Sequence, residues 1–187
     1  MPRPKTSTES TGWFRQATTR GVVLASLMVV LSGILIARLV PYFRQFNVDV
    51  GDRAPNFNLT ADDGTGVSLE DYRGKYVLLN FWATWCPPCV EELPSLNALY
   101  DALRNDGLVV LGVSVDEDED LYQRFLEAHR VMFPTVRDPE RNVSNRYGTF
   151  KYPESYLIDR EGMVIRKYVG PENWRRAEIV NHLQSLL

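Results

Sequence analysis

The chain has 187 residues, a formal net charge of −3, 44% hydrophobic residues and 24% charged residues. These values are ordinary for one globular domain with residues left over for a tail and an anchor. The charge is uneven, because residues 51–187 hold 15 Lys and Arg against 22 Asp and Glu. An acidic body binds nucleic acid poorly, since binding needs cations that displace condensed counterions. Nucleic-acid binding is therefore excluded as a function class.

The first predicted element is a membrane-spanning helix. Residues 21–37 carry no charge, and the apolar run extends further if Arg38 reaches toward the lipid headgroups. Cations concentrate before the run, which favours a cytoplasmic N-terminus. We therefore expect a cytoplasmic tail over residues 1–20, a transmembrane signal-anchor helix over 21–40 and a linker over 41–50.

Two other interpretations of this apolar segment stay open. A cleaved signal peptide needs small residues at its cleavage site, and Leu35 with Ala37 matches that pattern poorly. A core helix of a soluble domain usually shows a polar stripe, which this run lacks. The pattern favours an uncleaved anchor over both.

The domain that follows, residues 51–187, begins with turns and a short strand. Pro55 and the polar residues 60–65 mark turns, and the short strand is expected at 67–69. The next run, residues 76–82, is apolar except at one position, as is typical of a buried central strand. The sheet of the domain should therefore have this run near its centre.

Helices and strands then alternate to the end of the chain. Helices are predicted at 87–104, 121–129, 142–147 and 171–187, and strands at 108–115, 133–136, 155–158 and 163–169. Pro171 and Glu172 are placed in the first turn of the last helix. Asp159–Gly162 has the composition of a hairpin turn between the last two strands. This order predicts an α/β domain with three layers and a central mixed sheet.

The two cysteines of the chain, Cys86 and Cys89, lie where a buried strand ends and a helix begins. A disulfide that closes so small a loop removes little entropy from the unfolded chain, so a purely structural role is weakly motivated. At a helix start the two sulfurs meet across one turn, and free N–H groups with the helix dipole favour a thiolate. We therefore predict a redox site in which Cys86 attacks a substrate disulfide and Cys89 then attacks Cys86.

Two prolines, Pro87 and Pro88, separate the cysteines. They remove two N–H donors to the thiolate and also fix the φ angles of the turn. The sequence leaves open which effect dominates the reduction potential.

An acidic run, Asp116–Asp120, precedes the second helix of the domain. Negative charge suits the N-terminus of a helix. We interpret the run as a solvated helix start rather than as a metal site.

The stretch from Asn80 to Pro94, NFWATWCPPCVEELP, resembles the active site of the TlpA/ResA-like (CcmG/DsbE-like) branch of the thioredoxin superfamily. The resemblance covers residues 51–187, including a lead-in at Ala54–Phe57 and an extra helix near 121–129. It implies a thioredoxin-like α/β domain with an N-terminal hairpin extension and an inserted helix. One transmembrane helix would precede that domain.

The resemblance also implies roles for particular residues. Pro153 stands where the family has a cis proline facing the cysteines, which would leave the Tyr152 backbone free to pair with a bound peptide. Glu92 matches an acidic residue near the dithiol that could carry protons to or from Cys89, although a solvated carboxylate is the plainer alternative. Asn80 stands where plain thioredoxins keep a buried acid, and an amide cannot act as a base.

The expected site thus combines catalytic residues with a substrate-binding surface. The catalytic residues are Cys86, Cys89 and Glu92, and the substrate-binding residues are Trp85, Pro87, Pro88, Tyr152 and Pro153. Trp82 and Trp85 are expected to cover the dithiol rather than to take part in the chemistry. Beyond the disulfide itself, no cofactor and no metal are expected.

The resemblance implies a disulfide reductase held on the outer side of the cytoplasmic membrane. Its expected partners are disulfide-containing exported proteins, such as apocytochrome c during cytochrome c maturation, and a membrane thiol carrier as electron donor. The lipid bilayer would be contacted through residues 21–40. The same dithiol could instead insert disulfides, because known pairs span from reducing to oxidising potentials.

Three further alternatives are weighed against this one. A peroxiredoxin-type peroxidase needs Ser or Thr three residues before its cysteine and Pro four before that, and Ala83 and Leu79 stand there. A metal carrier would need ligands beyond the two cysteines, and His129 and His182 lack ligand spacing. A non-catalytic scaffold domain would not need an intact dithiol at a helix start.

Overall fold

A computed structural model describes residues 12–44, 47–61 and 64–187 of the chain. They fall into two compact units, which divide between residues 45 and 46. The first is a single helix and the second is an α/β domain.

The N-terminal unit is helix α1, Gly12–Arg44. Its apolar part, Arg20–Val40, has 21 residues and a mean hydropathy of 2.4, and none of it is buried within the unit. A helix of this length and composition fits a single-pass membrane anchor. The helix extends past the predicted span of 21–40 at both ends, so residues 41–44 of the expected linker are helical. Residues 1–11 of the expected tail lie outside the described residues.

The α/β domain has the predicted alternation of strands and helices. Its strands are β1 (Asn58–Thr60), β2 (Gly66–Ser68), β3 (Tyr76–Trp82), β4 (Leu108–Ser114), β5 (Thr135–Arg137), β6 (Glu154–Ile158) and β7 (Val164–Val169). Its helices are α2 (Pro87–Leu103), α3 (Glu119–Ala128), α4 (Asn142–Tyr147) and α5 (Ala177–Leu186), with a 3₁₀ turn at Leu69–Tyr72.

The main sheet is mixed and has the strand order β5-β4-β3-β6-β7. The central strand β3 pairs in parallel with β4 and antiparallel with β6. β1 and β2 form a separate antiparallel hairpin ahead of β3. The thioredoxin-like fold with its N-terminal hairpin and its inserted helix α3 is therefore confirmed.

Two apolar layers lie on opposite faces of the sheet because the side chains of β3 alternate between them. Leu78 and Trp82 pack with α2 and α5, whereas Val77, Leu79 and Phe81 pack on the other face. Asn80 follows the same alternation and falls on the α2 face. A buried polar residue is thereby placed directly beneath the helix that starts at the cysteines.

The last helix begins later than predicted. Residues 170–176, here called the β7–α5 loop, are not helical, and α5 starts at Ala177 rather than at Pro171. The loop backbone bonds to α2 instead, since Trp174 N donates to Ser95 Oγ at 3.2 Å and Glu172 N donates to a Glu92 carboxylate oxygen. Tertiary hydrogen bonds thus replace the expected first helical turn.

The lead-in to the domain lies along β7, on the side away from β6. Gly51 N donates to Val164 O at 2.8 Å, and Val164 N donates to Asp52 O at 2.8 Å. Arg53 forms an antiparallel bridge with Met163. The edge of β7 is therefore occupied at its first residue, Val164.

Gly112 of β4 is required where β4 meets β5. A Cβ at Gly112 would lie 2.6 Å from Thr135 Oγ1, and this oxygen accepts hydrogen bonds from Trp82 Nε1 and Tyr122 Oη. We expect Gly112→Ala to lower the free energy of unfolding by about 1–3 kcal/mol, because the added methyl overpacks this contact. Urea unfolding followed by tryptophan fluorescence measures the change.

The matched control for this substitution is Gly66→Ala in β2. No atom lies within 4 Å of a Cβ built at Gly66. Its effect should stay within about 0.5 kcal/mol, as for most surface substitutions. Equal losses in the two variants would contradict the overpacking argument.

Candidate active site

The two cysteines form a disulfide at the start of α2. Cys86 is the N-cap residue, and its Sγ accepts a hydrogen bond from Cys89 N at 3.3 Å. Pro87 and Pro88 occupy the first two helical positions, where a missing N–H costs no helical hydrogen bond. Cys89 is 1% exposed and Cys86 is 5% exposed. Cys86 is the more accessible sulfur-bearing residue, as expected of an attacking group.

The turn before Cys86 is held by a buried carboxylate. Asp116 is 4% exposed, and it accepts hydrogen bonds from Thr84 N at 2.9 Å and Thr84 Oγ1 at 2.6 Å. Ser114 Oγ also donates to it. The interpretation of Asp116–Asp120 as wholly solvated is wrong at Asp116, whereas Asp118 does cap α3 by accepting from Leu121 N.

Asp116 is a site residue that the sequence analysis missed. It lies two residues after the end of β4, and β4 pairs in parallel with β3, so both strands end at the edge that carries the cysteines. Polar residues at the carboxyl ends of adjacent parallel strands are a recognisable signal for a site. In this sequence the acidic residues 117–120 hide that signal, because the whole run has the composition of a solvated helix start.

The loop before β6 faces the disulfide. The Tyr152–Pro153 peptide bond is cis, as predicted, and Cys86 Sγ lies 3.5 Å from Tyr152 O. The Trp85 ring stands edge-on to the Tyr152 ring at a centroid distance of 6.1 Å. The structure therefore brings Trp85, Tyr152 and Pro153 together around Cys86.

The two tryptophans near the cysteines have different environments. Trp82 is buried in the same apolar cluster as Cys86 and Cys89 and donates from Nε1 to Thr135 Oγ1. Trp85 is 57% exposed and does not serve as buried cover. Its accessible ring suits contact with a bound partner.

Glu92 is buried one turn after Cys89. It is 4% exposed, which rules out the alternative of a solvated carboxylate. Asn80 Nδ2 donates to its Oε1 at 2.9 Å, while Glu172 N and Trp174 Nε1 donate to its Oε2 at 3.0 and 3.3 Å. Burial raises the pKa of Glu92 from 4.5 to about 7, and these three hydrogen bonds act in the opposite direction.

Cys89 and Glu92 are three residues apart on α2, so their side chains lie on the same helix face. The neighbouring Glu91 is exposed, as expected. A buried carboxyl group that titrates near neutral pH can take up or release a proton under physiological conditions. Beside Glu92 lies a cavity of about 410 Å³, lined by residues of α2 and of the β7–α5 loop.

Comparison with known proteins identifies the family of this chain. A family model described as the AhpC/TSA family matches residues 50–167. The thiol-disulfide oxidoreductase ResA of Geobacillus thermodenitrificans is 36% identical over 167 residues, which are 89% of this chain and 94% of that protein. The chain belongs to the ResA-type thiol–disulfide oxidoreductases of the AhpC/TSA family.

Other proteins support this assignment. ResA of Geobacillus kaustophilus is 37% identical to this oxidoreductase over 163 residues, 87% of this chain and 92% of that protein. A crystal structure assigned as thiol:disulfide interchange protein DsbE from Chlorobium tepidum has a TM-score of 0.69 and 31% identity, covering 75% of this chain and 99% of that one. The predicted resemblance and the predicted thiol–disulfide oxidoreductase activity are thus confirmed.

Two alternative functions of this ResA-type oxidoreductase, a peroxidase and a metal carrier, would each need particular residues near the disulfide. Ala83 and Leu79, at the positions where a peroxidase needs a hydroxyl residue and a proline, are both fully buried. Among the described residues, no group of three or more His, Cys, Asp or Glu side chains could hold a metal ion. His129 stacks on Phe125 at a centroid distance of 4.0 Å, on α3 and its C-cap.

Proposed function

We propose that this ResA-type oxidoreductase is a membrane-anchored protein-disulfide reductase that works outside the cytoplasm. In this proposal residues 1–20 form a cytoplasmic tail and 21–40 the membrane anchor, and 51–187 form the catalytic domain. Its substrates are disulfides of exported proteins, such as apocytochrome c during cytochrome c maturation. The resemblance to the TlpA/ResA-like branch supports the substrate class, and the bias of cations before the apolar run supports the orientation.

The observation that carries the direction of the reaction is the small number of donors at Cys86. Within residues 64–187, Cys89 N is the backbone donor that reaches Cys86 Sγ, because Pro87 and Pro88 have no N–H. A thiolate that receives few hydrogen bonds is less stabilised, and a less stabilised thiolate makes the reduced pair a stronger reductant. Asp116 binds Thr84, which lies two residues before Cys86, and as a carboxylate it adds no positive charge that would offset this.

The proposed reaction is an exchange of sulfur–sulfur bonds. The Cys86 thiolate attacks one sulfur of the substrate disulfide, so that a Cys86–substrate bond forms while the substrate disulfide breaks. The released thiolate takes a proton from water. Cys89 then attacks Cys86 Sγ, which forms the Cys86–Cys89 disulfide and releases the second substrate sulfur. Two electrons have passed to the substrate.

In this proposal Glu92 accepts the proton of the buried Cys89 thiol. Cys89 must lose its proton before it attacks, and it has little access to water because it is 1% exposed. Glu92, on the same face of α2, accepts that proton when its carboxyl is ionised. The dithiol of a membrane thiol carrier later restores the reduced pair by the reverse exchange and is itself oxidised to a disulfide.

The proposed substrate-binding surface surrounds Cys86. Trp85 offers an exposed ring, and the Tyr152 carbonyl oxygen lies 3.5 Å from Cys86 Sγ. An extended peptide segment of the substrate can then pair with this backbone while its cysteine meets Cys86. Pro87 and Pro88 form the rest of the rim at the start of α2.

The reduction potential tests this proposal. The full-length chain in detergent is equilibrated in dithiothreitol or glutathione buffers, and tryptophan fluorescence reports the state of the disulfide. We expect a value near the ~−270 mV of thioredoxin, and Cys86→Ser should show no transition. A value near ~−120 mV would overturn the reductase direction and indicate disulfide insertion.

A further inference from the structure

The β7–α5 loop supplies two of the three hydrogen bonds received by Glu92. Glu172 N and Trp174 Nε1 both donate to Oε2. The loop is fixed to α2 at two further points, because Trp174 N donates to Ser95 Oγ and Arg175 Nη2 donates to Pro94 O at 3.1 Å. Glu92 is therefore enclosed by a segment distant from it in sequence.

The polar groups that contact the Glu92 carboxyl group are all donors. Asn80 presents its amide Nδ2 to Oε1 and bonds Ser155 Oγ from the same nitrogen at 2.9 Å. An indole N–H and a backbone N–H donate but cannot accept. A protonated Glu92 would thus hold an O–H without an acceptor among these partners, and one donor would have to give way. These contacts favour the ionised form, whereas burial favours the neutral one.

The Trp174 side chain acts on Glu92 in two opposite ways, through burial and through a hydrogen bond. Its ring is fully buried and helps to exclude water from Glu92, while its N–H stabilises the carboxylate. The ring is held edge-on against Tyr168 at a centroid distance of 5.0 Å. We propose that Trp174 is a positioning residue for the reaction, which sets how readily Glu92 takes the proton of Cys89. This inference rests on the proton-carrier role proposed for Glu92.

The charged groups near Glu92 come from α2 and from the β7–α5 loop. The Glu172 carboxylate acts in the same direction as burial, but Arg176 Nη2 pairs with it at 2.8 Å. Glu91 is exposed, and the Arg175 guanidinium is occupied by a backbone carbonyl. The strands beneath Glu92 contribute neutral amide and hydroxyl groups. The indole is therefore a neutral donor, like the Asn80 amide, and it can be removed without changing any charge.

Trp174→Phe tests the proposal in the full-length chain in detergent. Carbon-13 NMR of the glutamate carboxyl groups gives the pH midpoint of Glu92, which should rise by about one unit, because one donor to the carboxylate is lost. Tyr168→Phe is the matched control, since its buried hydroxyl has no hydrogen-bond partner among the described residues. An unchanged midpoint in Trp174→Phe, or an equal rise in both variants, would overturn the proposal.

A second measurement needs no substitution at Trp174. The indole nitrogen-15 resonance of Trp174 should shift with pH at the midpoint of Glu92 and should stop shifting in Glu92→Gln. Trp82 is the internal reference, because its indole bonds to the Thr135 hydroxyl instead. A Trp174 indole that does not titrate would contradict the inference.

The rate of disulfide exchange separates this inference from the function on which it rests. If both hold, the pH midpoint of the exchange rate moves upward together with the carboxyl midpoint in Trp174→Phe. If the carboxyl midpoint moves and the rate profile does not, Trp174 tunes Glu92 as inferred and the proton-carrier role of Glu92 is wrong.

Discussion

Cys86→Ser is expected to reduce the rate of substrate disulfide reduction by about 10³-fold or more, to the uncatalysed background. The hydroxyl group that replaces the thiol cannot attack a disulfide, and Cys89 is too buried to begin the exchange in its place. Cys89→Ser should have a different result, because Cys86 can still attack while the mixed disulfide is no longer resolved. Reduction of a model protein disulfide measures the first variant, and non-reducing electrophoresis detects the trapped adduct in the second.

The two variants control for each other, since each keeps one thiol at the same helix start. A trapped adduct in Cys86→Ser, with none in Cys89→Ser, would show that the roles of the two cysteines are reversed. Full activity in Cys86→Ser would contradict the assignment of this site altogether.

Glu92→Gln is expected to slow the resolution of the mixed disulfide by about 10²-fold or more, within the range usual for general acid–base catalysis. An amide cannot accept the proton of Cys89, so the step should depend on hydroxide instead. The rate of the wild-type chain should rise with pH through a midpoint near pH 7, the pKa of Glu92. Stopped-flow measurement of adduct decay between pH 5 and 9 gives both quantities.

The same carboxyl group makes the stability of the domain depend on pH. Because the folded pKa of Glu92 lies above its unfolded value of 4.5, the folded state binds more protons between pH 4.5 and about 7. The free energy of unfolding should therefore fall as pH rises through this window, by on the order of 3 kcal/mol from this group. Urea unfolding at several pH values measures the slope, which Glu92→Gln should remove.

Glu91→Gln is the matched control for both effects of Glu92. It changes the adjacent carboxylate on the same helix, but that carboxylate is exposed. Its resolution rate should stay near the wild-type rate, and its stability slope should be unchanged. Equal slowing in the two variants would show that general negative charge, rather than the buried carboxyl group, accounts for the effect.

The sequence predicts the parts of this fold that depend on local pattern. The apolar run 76–82 becomes the central strand β3, and the cysteines lie at the start of α2 as expected. The turn Asp159–Gly162 also forms as predicted, with Gly162 N donating to Asp159 O. In each case neighbouring residues supply the deciding contacts, so periodicity and turn chemistry are sufficient.

The parts that were not predicted depend on contacts between distant segments. Pro171 and Glu172 have the composition of a helix start, yet Glu172 N bonds to Glu92 and the helix begins only at Ala177. In the sequence Asp116 resembles the other acidic residues before α3, but its hydrogen-bond partner Thr84 is 32 residues away. No pattern within a short window distinguishes these residues from ordinary helix caps, because their roles arise only when α2, β4 and the β7–α5 loop come together.

The two edges of the main sheet affect how neighbouring copies of the domain interact. An unpaired strand edge can form hydrogen bonds with a strand of another molecule, and such pairing leads to aggregation. One edge strand, β5, is only three residues long, and the other, β7, is occupied at its first residue by Gly51 and Asp52. The short edge at β5 and the covered start of β7 therefore lower the tendency of neighbouring copies to add strands to this sheet.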